Sequence, residues 1–599
     1  MQSLLLAIII VVALALIFTN RLRADLVAIL VMLVLAFAGL ITFEDALDGF
    51  SNSAVITILA MFIVSRGLEE TGIIAWIGEQ IRRLSRGRER WLVLITMLAG
   101  MIMVQFMNIV AAGAVLMPAV LNAARDSRVR PSKVLIPLSY GTLLGATATI
   151  FISANVIVSN QLEISGYEAL KLTDFLKTGA PIVLMGLLYM ALIGIRLLPD
   201  RASIRQIISP NSVVQELSEA YHLSERLWRA HVSRQSSLAG VSLIDSHIGE
   251  RHGVTVLLIE QPDKTIAAPD PTCPINGGDT LVILGREDRV MQLAEHGLTI
   301  TQVAAPDDPS RTLDLTEIAV LPRATVTGKS LVELRFRAQY GLSAIALLRE
   351  GQVLRTDVGT RPLKAGDALL VMGPPSKIQS FSKAQDEFMI VEGSHAIRPA
   401  LPHKARTALV ILMLMIAGVI LDLMPTAFAA LAAAVAMIAT RCLNLETAYQ
   451  SVELRVIFLI AGMSSISIAL MRTDLAAQFG GFVVDAAGPF GSFAVLGVAF
   501  LITMAITQLV TGQVAALIMA PIVVSIAVQT GIDPRAMGIV AATACSTAFL
   551  TPLAHPVNVL MMGPGGYRSS DFFRVGLGLT IVVFITLMIG MAVWWSGSL

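Results

Sequence analysis

Long apolar runs fill both ends of this 599-residue chain, and a polar stretch separates them. A helix that crosses a bilayer needs about 20 mostly apolar residues. Runs of this kind predict membrane-spanning helices at residues 2–19, 25–42, 54–68, 132–150, 177–197, 405–422, 426–441, 455–471, 535–552 and 574–595. The pattern therefore predicts an α-helical polytopic membrane protein with a polar insertion.

Two further apolar stretches, 91–124 and 490–530, are each interrupted by polar residues. The first breaks near Gln105–Asn108 and the second near Gln508–Gln513. Irregular backbone is tolerated at membrane depth only where protein or a water-filled cavity satisfies its polar groups. We therefore predict a re-entrant hairpin in each half, with its tip at a place where a solute or an ion binds.

The two apolar parts repeat each other. Three pairs of residues at breaks in the apolar pattern are each 403 positions apart: Gln105 and Gln508, Pro118 and Pro521, and Asn155 and Asn558. Each half then has five spans and one hairpin, and because five is odd, the second half is expected to be inverted relative to the first. Lys and Arg gather in the loops of one side, which supports this topology and predicts that 200–398 is cytoplasmic.

Composition narrows the class of protein. Only 15% of residues are charged and 55% are hydrophobic, against about 25% charged in an average soluble protein. A net charge of +1 gives no basic surface for nucleic acid, and three distant cysteines give neither a metal motif nor a disulfide framework. The chain has no nucleophile–base constellation and no Walker motif, so we expect neither an enzyme nor an ATP-driven pump.

The polar block is itself duplicated. Gly240-Val-Ser-Leu243 matches Gly328-Lys-Ser-Leu331, and a Gly-Asp turn before an apolar strand recurs at the same spacing of 88 residues. The predicted order is a transmembrane repeat (1–199), a linker helix (200–230), two small α/β domains (231–303 and 304–393) and a second transmembrane repeat (394–599). Both small domains resemble the RCK-C, or TrkA-C, ligand-binding domain. That resemblance implies a small regulatory ligand.

The whole chain resembles the family of divalent-anion:sodium symporters. The residues that carry the resemblance include Phe50-Ser-Asn-Ser-Ala-Val-Ile-Thr57, Ser132-Lys-Val-Leu-Ile-Pro-Leu-Ser-Tyr140 and Met562-Gly-Pro-Gly-Gly-Tyr567. The resemblance implies a secondary active transporter, a symporter that moves a small anion, with sulfate or a related oxyanion as the expected substrate and sodium as the expected coupling ion. It also implies a homodimer embedded in the lipid of the cytoplasmic membrane.

In that family each hairpin tip bears a Ser-Asn-Thr-like motif, and a later unwound loop bears a second Asn. The resemblance assigns the loop residues to Asn155 and Asn558, whereas the expected tip positions hold Ile109 and Gly512. Helix N-termini and side-chain amides can bind anions through N–H groups, and polar residues inside a membrane are functional candidates. The candidate substrate and ion ligands are Asn108, Ser153, Asn155, Thr511, Gln513, His555 and Asn558, with sodium near Asn108, Asn155, Thr511 and Asn558.

Several alternatives stay open. Ser153 could bond only to its own helix, Gln105 and Gln508 could be interhelical links, and His555 could serve either proton coupling or structure. A dicarboxylate transporter and a proton-coupled transporter fit the same pattern. So does a solute receptor or a ligand-gated channel, although the chain lacks a Thr-Val-Gly-Tyr-Gly filter.

Overall fold

The computed structural model describes residues 2–18, 22–73, 80, 88–200 and 227–598, with short gaps inside the polar block. The gaps are residues 244, 253, 262–264, 268, 270–271, 303–313, 322–323, 350–351, 355–357, 375–376, 379–380, 382–386 and 393–400. The predicted linker helix lies mostly outside the described residues.

The first apolar part folds into helices. They are α1 (Gln2–Phe18), α2 (Ala24–Phe37), α3 (Phe43–Ser51), α4 (Ser53–Glu70), α5 (Glu89–Met103), α6 (Ile109–Asp126), α7 (Pro131–Ala146), α8 (Ser153–Ile164) and α9 (Leu172–Tyr189). A wide turn at Met190–Gly194 extends α9 to Leu197.

The second apolar part has the same order of helices. They are α10 (Ala405–Ile420), α11 (Thr426–Ala439), α12 (Leu445–Gln450), α13 (Leu454–Arg472), α14 (Leu475–Ala487), α15 (Ser492–Leu509), α16 (Gly512–Thr530), α17 (Pro534–Ser546), α18 (Pro556–Gly565) and α19 (Ser569–Trp594). Helices α10–α13 correspond to α1–α4, and α15–α19 correspond to α5–α9, which confirms the internal duplication. The position that corresponds to α14 lies mostly outside the described residues.

Contacts between the two halves come in corresponding pairs. Helix α2 packs against α13, the counterpart of α4, and α11 packs against α4 in the same way. Helices α9 and α19, which are counterparts of each other, pack together. The two halves are therefore related by an approximate two-fold rotation.

Contacts along α9 give the relative direction of the halves. Lys133, at the start of α7, donates to the Leu198 carbonyl at the end of α9, at 3.2 Å. Arg535, at the corresponding start of α17, instead bonds Asp174 at the start of α9, at 2.7 Å. Because α7 and α17 begin at opposite ends of one long helix, the second half is inverted relative to the first.

The first hairpin enters and leaves on one side. Glu89 at the start of α5 lies 4.0 Å from Lys133 at the start of α7, and α6 ends at Asp126, just before α7 begins. Both open ends of the hairpin therefore lie at the same end of α7. The sequence therefore located the first helical hairpin correctly, and its re-entrant character stays a prediction.

The spans predicted at 132–150 and 535–552 are too long. Helix α7 ends at Ala146 and α17 ends at Ser546, and each continues through an irregular loop into a second helix, α8 or α18. These crossings are thus broken helices. The loop residues 147–152 are Thr-Ala-Thr-Ile-Phe-Ile, and hydropathy alone cannot separate such a loop from a helix.

Seven helices of the described residues are long and apolar enough to cross a membrane, by length and composition. They include α9, α13 and α19, and shorter apolar helices such as α1 and α10 accompany them. The protein is therefore a multi-pass α-helical membrane protein, as the apolar runs predict.

The polar block forms two copies of one fold. The first contains β1 (Leu227–Val232), β2 (Thr255–Glu260), β3 (Thr265–Ala267), β4 (Thr280–Leu284) and β5 (Leu298–Gln302). The second contains β6 (Asp314–Val320), β7 (Ser343–Arg349), β8 (Gln352–Leu354), β9 (Ala368–Gly373) and β10 (Phe388–Glu392). The strand orders β3-β2-β4-β1-β5 and β8-β7-β9-β6-β10 are equivalent.

Two details of the sequence prediction for this block change. The paired strands are antiparallel throughout, so each copy is better described as α+β than as α/β. Residues 227–230, assigned above to the linker helix, belong to strand β1, which begins at Leu227. The alternation in Leu-Trp-Arg-Ala-His-Val suits a strand with one face on the core.

The second copy touches the membrane helices directly. Strand β6 packs near α18, and β10 packs near α6. A Cβ added to Gly366, in the turn before β9, would lie 3.2 Å from the Val559 carbonyl oxygen of α18. Arg337 of the second copy donates to the Val256 carbonyl of the first at 2.7 Å, so the copies are also joined, and burial lowers the pKa of this guanidinium.

The Gly-Pro-Gly-Gly-Tyr stretch has a structural role. The fully buried Tyr567 hydroxyl accepts a hydrogen bond from the Ile136 N–H and donates to the Ser132 carbonyl, both at 2.9 Å. These two groups pair with each other in a regular α-helix. The next residue, Pro137, has no N–H, so the tyrosine of one half inserts where helix α7 of the other half is already weakened.

We expect Tyr567→Phe to destabilise the protein by about 1–3 kcal/mol, because the variant leaves a buried N–H and a carbonyl without this partner. Thermal unfolding of the purified protein in detergent measures the effect. Tyr449→Phe is the matched control, since Tyr449 is 70% exposed. Equal midpoints for the two variants would contradict the inserted-hydroxyl interpretation.

Candidate functional site

Each hairpin tip is tied to the end of a broken helix. Gln105 Nε2 donates to the Gly145 carbonyl of α7, and Gln508 Nε2 donates to the Thr547 carbonyl after α17, both at 2.9 Å. These carbonyls lie at helix ends, where intrahelical partners run out. The two glutamines are therefore interhelical links, one of the alternatives left open by the sequence.

The replaced tip residues have a steric explanation in the second half. A Cβ on Gly512 would collide with the Cys545 carbonyl, so this backbone excludes an asparagine there. In the first half, Ile109 is 6% exposed and packs in the apolar core. Neither position offers a polar side chain to an ion.

The polar neighbours at the tips differ from each other. Asn108 caps α6, because its Oδ1 accepts from the Val110 N–H at 2.8 Å. Thr511 occupies the corresponding position before α16, but its side chain makes no capping bond. The Thr511 hydroxyl is buried without a hydrogen-bond partner among the described residues, as is that of Ser546 at the end of α17.

The two loop asparagines are fully buried and hold their loops together. Asn155 Nδ2 donates to the carbonyls of Ala146 at 2.8 Å and Thr149 at 2.6 Å. Asn558 Nδ2 donates to the carbonyls of Ala548 at 2.7 Å and Thr551 at 3.2 Å. Because an amide NH₂ has two hydrogens, neither asparagine keeps an N–H for an anion, contrary to the expectation that they are anion donors.

The carbonyl oxygens of the two asparagines are not equivalent. Asn558 Oδ1 accepts a hydrogen bond from Ser139 of α7 at 2.5 Å. Asn155 Oδ1 is buried and has no hydrogen-bond partner within the described part of the chain. Ser139 was not among the residues proposed from the sequence. The repeat offered a signal, because the residue 403 positions later, Ala542, has no hydroxyl.

Four helices begin at the candidate residues. Helices α6, α8, α16 and α18 start at or just after Asn108, Ser153, Thr511 and His555. Gly113 of α6 packs against Val557 at the start of α18, and α16 packs against α8. N–H groups at helix starts carry a partial positive charge, so each of these four helix starts is suited to a bound anion.

The remaining candidates are placed at the same helix starts. His555 Nδ1 accepts from the Val557 N–H at 3.2 Å and caps α18, which gives it a structural role. Ser153 is 9% exposed at the start of α8, and Gln513 lies in the first turn of α16. The seven candidates thus fall on the starts of four helices, and these helices pack in two pairs, α6 with α18 and α16 with α8.

This fold, with inverted halves, broken helices and polar breaks at membrane depth, is that of a membrane transporter. The chain matches the family model "CitMHS: Citrate transporter" over residues 14–516. It therefore belongs to the CitMHS citrate transporter family, and it is a transporter rather than an enzyme.

Three relatives agree with this class, two of them over nearly their full length. The chain is 32% identical to "Uncharacterized transporter sll0640" of Synechocystis, over 96% of this chain and 94% of that one. It is 29% identical to "Uncharacterized transporter YfbS" of Escherichia coli, over 96% of each chain. It is 24% identical to "Sodium/sulfate cotransporter 2" of Chlamydomonas reinhardtii, over 58% of this chain and 40% of that one.

Among solved structures, the Alcanivorax borkumensis YdaH transporter aligns with 100% of this chain and 99% of its own. The TM-score is 0.41 and the identity is 11%.

We expect Gly512→Ala to displace the second hairpin and lower thermal stability by about 1–3 kcal/mol, because the added Cβ meets backbone that cannot rotate away. The midpoint of thermal unfolding in detergent is the measurement. Gly497→Ala in α15 is the control, since its Cβ would come no closer than 3.5 Å to another side chain. A midpoint for Gly512→Ala as high as for the control would argue against this packing.

Proposed function

We propose that this protein is a symporter that moves a small anion, sulfate or a related oxyanion, together with sodium. The observation that carries the proposal is the buried, unpartnered Thr511 hydroxyl at the start of α16, a helix that packs against α8. The name of the Chlamydomonas relative, a sodium/sulfate cotransporter, supports the choice of substrate and coupling ion.

An oxyanion suits such a site because its binding needs donors rather than a buried cation. The helix starts supply main-chain N–H groups, and Thr511 and Ser546 supply hydroxyls that can donate. Asn108 keeps its Nδ2 hydrogens, since its Oδ1 is the atom that caps α6. Gln513 and Ser153 complete the polar set on the adjacent helix starts.

Transport follows from the symmetry of the fold. Two similar halves of opposite direction can exchange conformations, so a central site opens first to one side and then to the other. Coupling requires that the anion and its coupling ion stabilise the same conformations of the carrier. The two ions then cross the membrane together.

Uptake of labelled sulfate into proteoliposomes, with and without a sodium gradient, tests the proposal. We expect sodium to increase uptake, and Thr511→Val to raise the KM about tenfold because the variant keeps the shape and loses one donor. Thr530→Val, in the last turn of the same helix, is the matched control, since the Thr530 hydroxyl bonds its own helix. Sulfate uptake that ignores sodium, or no uptake, would contradict the proposal.

A citrate or dicarboxylate substrate is the second candidate, because the matching family model describes a citrate transporter. Competition of citrate and succinate with labelled sulfate separates the two candidates. A proton gradient in place of sodium tests the coupling ion, with His555 as the titratable residue near the site.

We also propose that the insertion regulates transport through its second copy. Support comes from the Gly366 turn, which packs on Val559 and Met562 of α18, one turn from Asn558. Arg349 holds this turn by two bonds to the buried Asp367, at 2.8 and 2.6 Å. The corresponding residue of the first copy is Gln261, which makes one bond to Asp279. A small ligand that alters the insertion would therefore shift α18.

Gly366→Ala should change the rate of anion uptake at least twofold, because its Cβ presses on the α18 backbone. Gly278→Ala is the matched control in the first copy. Both glycines have a positive φ, +82° and +99°, so both variants strain the turn, but a Cβ on Gly278 meets nothing within 4 Å. Equal uptake by the two variants would remove the proposed contact from regulation.

A further inference from the structure

Two histidines lie side by side in the first copy of the insertion. His252 ends the short helix Ile248–His252, and His296 ends the turn Gln292–His296, which packs against that helix. Their ring centroids are 5.6 Å apart, and the rings meet edge to face at 74°. Both side chains are partly exposed, so a solute can reach them.

The second copy has a different side chain at the position of His252. At the spacing of 88 residues, His252 corresponds to Tyr340. The Tyr340 ring packs with three phenylalanines, Phe336, Phe381 and Phe388, at centroid distances of 4.9–6.0 Å. An aromatic cluster thus occupies this place in the second copy, so the fold of a copy does not require an imidazole there.

Hydrogen bonds orient both imidazole rings through Nδ1. His252 Nδ1 lies 3.3 Å from Gln292 Oε1, and His296 Nδ1 lies 3.3 Å from the Ser237 hydroxyl. Because an amide oxygen can only accept, neutral His252 carries its hydrogen on Nδ1 and keeps a lone pair on Nε2. The Ser237 hydroxyl can accept from His296 in the same way. Histidines that bind metal ions are commonly held like this, with the other ring nitrogen bonded to an oxygen.

The spacing of the two rings suits one metal ion between them. Imidazoles that bind one zinc ion through Nε2, at about 2 Å each, have ring centroids roughly 5–6 Å apart. No group of three His, Cys, Asp or Glu side chains that could hold a metal lies within the described residues, so water would complete the four-coordinate shell. Imidazole suits Zn²⁺ and Cu²⁺, whereas Mg²⁺ and Ca²⁺ prefer oxygen ligands.

We propose that the first copy of the insertion reversibly binds a Zn²⁺ ion between His252 Nε2 and His296 Nε2. Two protein ligands with water in the other positions make the ion exchangeable, unlike the ion of a closed structural zinc site. Val256, four residues after His252, accepts the hydrogen bond from Arg337 of the second copy. The metal site is therefore close along the chain to the contact that joins the two copies, and it is separate from the proposed transport site.

Zinc binding to the full-length protein tests the proposal. The protein is purified in detergent without a polyhistidine tag and stripped with a chelator. Isothermal titration with zinc chloride should then show a single site per chain. Gln292→Ala should weaken zinc binding about tenfold, because the His252 ring loses the bond that orients it.

His252→Tyr, which installs the residue of the second copy, should weaken zinc binding by at least as much as Gln292→Ala, because one ligand of the ion is lost. His296→Ala should do the same, and it reports even if His252→Tyr does not fold. His231→Ala is the matched control and should keep the affinity of the wild type. His231 lies in strand β1 of the same copy, and its Nδ1 also lies near a hydroxyl, that of Thr280, at 3.2 Å.

Two results would overturn the proposal directly: no zinc binding by the wild type, or wild-type affinity in both His252→Tyr and His296→Ala. A loss of equal size in His231→Ala would show that zinc binds surface histidines adventitiously, and it would overturn the proposal as well.

Discussion

The structure depends on satisfying backbone groups where membrane helices are broken. In a bilayer core, no water pairs with an exposed carbonyl or N–H, so each break needs protein partners. Here four uncharged side chains supply them. Gln105 and Gln508 bond the ends of α7 and α17, and Asn155 and Asn558 bond across the loops that follow. The breaks can therefore persist among the membrane helices.

The same constraint explains why the candidate residues fall into two classes. Asparagine side chains that clamp carbonyls have used their N–H groups, so they cannot also hold an anion. Donors for an anion must come from atoms outside the clamp, such as the Thr511 hydroxyl and the main-chain N–H groups of the helix starts. In the first half, the Asn155 side-chain oxygen is a buried acceptor without a hydrogen-bond donor among the described residues.

Much of the fold could be predicted because hydropathy and repetition are carried by many residues at once. The two apolar parts, the first helical hairpin and the duplicated insertion follow from periodicity over long segments. The end of α7 at Ala146 could not be predicted, since the following Thr-Ala-Thr-Ile-Phe-Ile is as apolar as a helix. For the candidate site, the sequence proposes a set of residues but does not say which of their atoms are already hydrogen-bonded. Whether the NH₂ group or the oxygen of an Asn side chain is hydrogen-bonded depends on which carbonyls and hydroxyls the fold brings near it. The hydrogen bond from Ser139 to Asn558, for example, joins residues 419 positions apart.

The insertion is seated where small movements of α18 reach the site. The Gly366 turn contacts Val559 and Met562 of α18. At a rise of about 1.5 Å per residue, both residues lie within about 6 Å of Asn558 along the helix axis. Asn558 is in turn bonded to Ser139 of α7, whose first turns hold the Tyr567 hydroxyl. A shift of α18 would therefore move groups in both halves, Asn558 in the second and Ser139 in the first. A ligand can bias a conformational equilibrium only through contacts that differ between the states. The Gly366 turn packs directly on α18, so a change in this turn would alter such contacts directly.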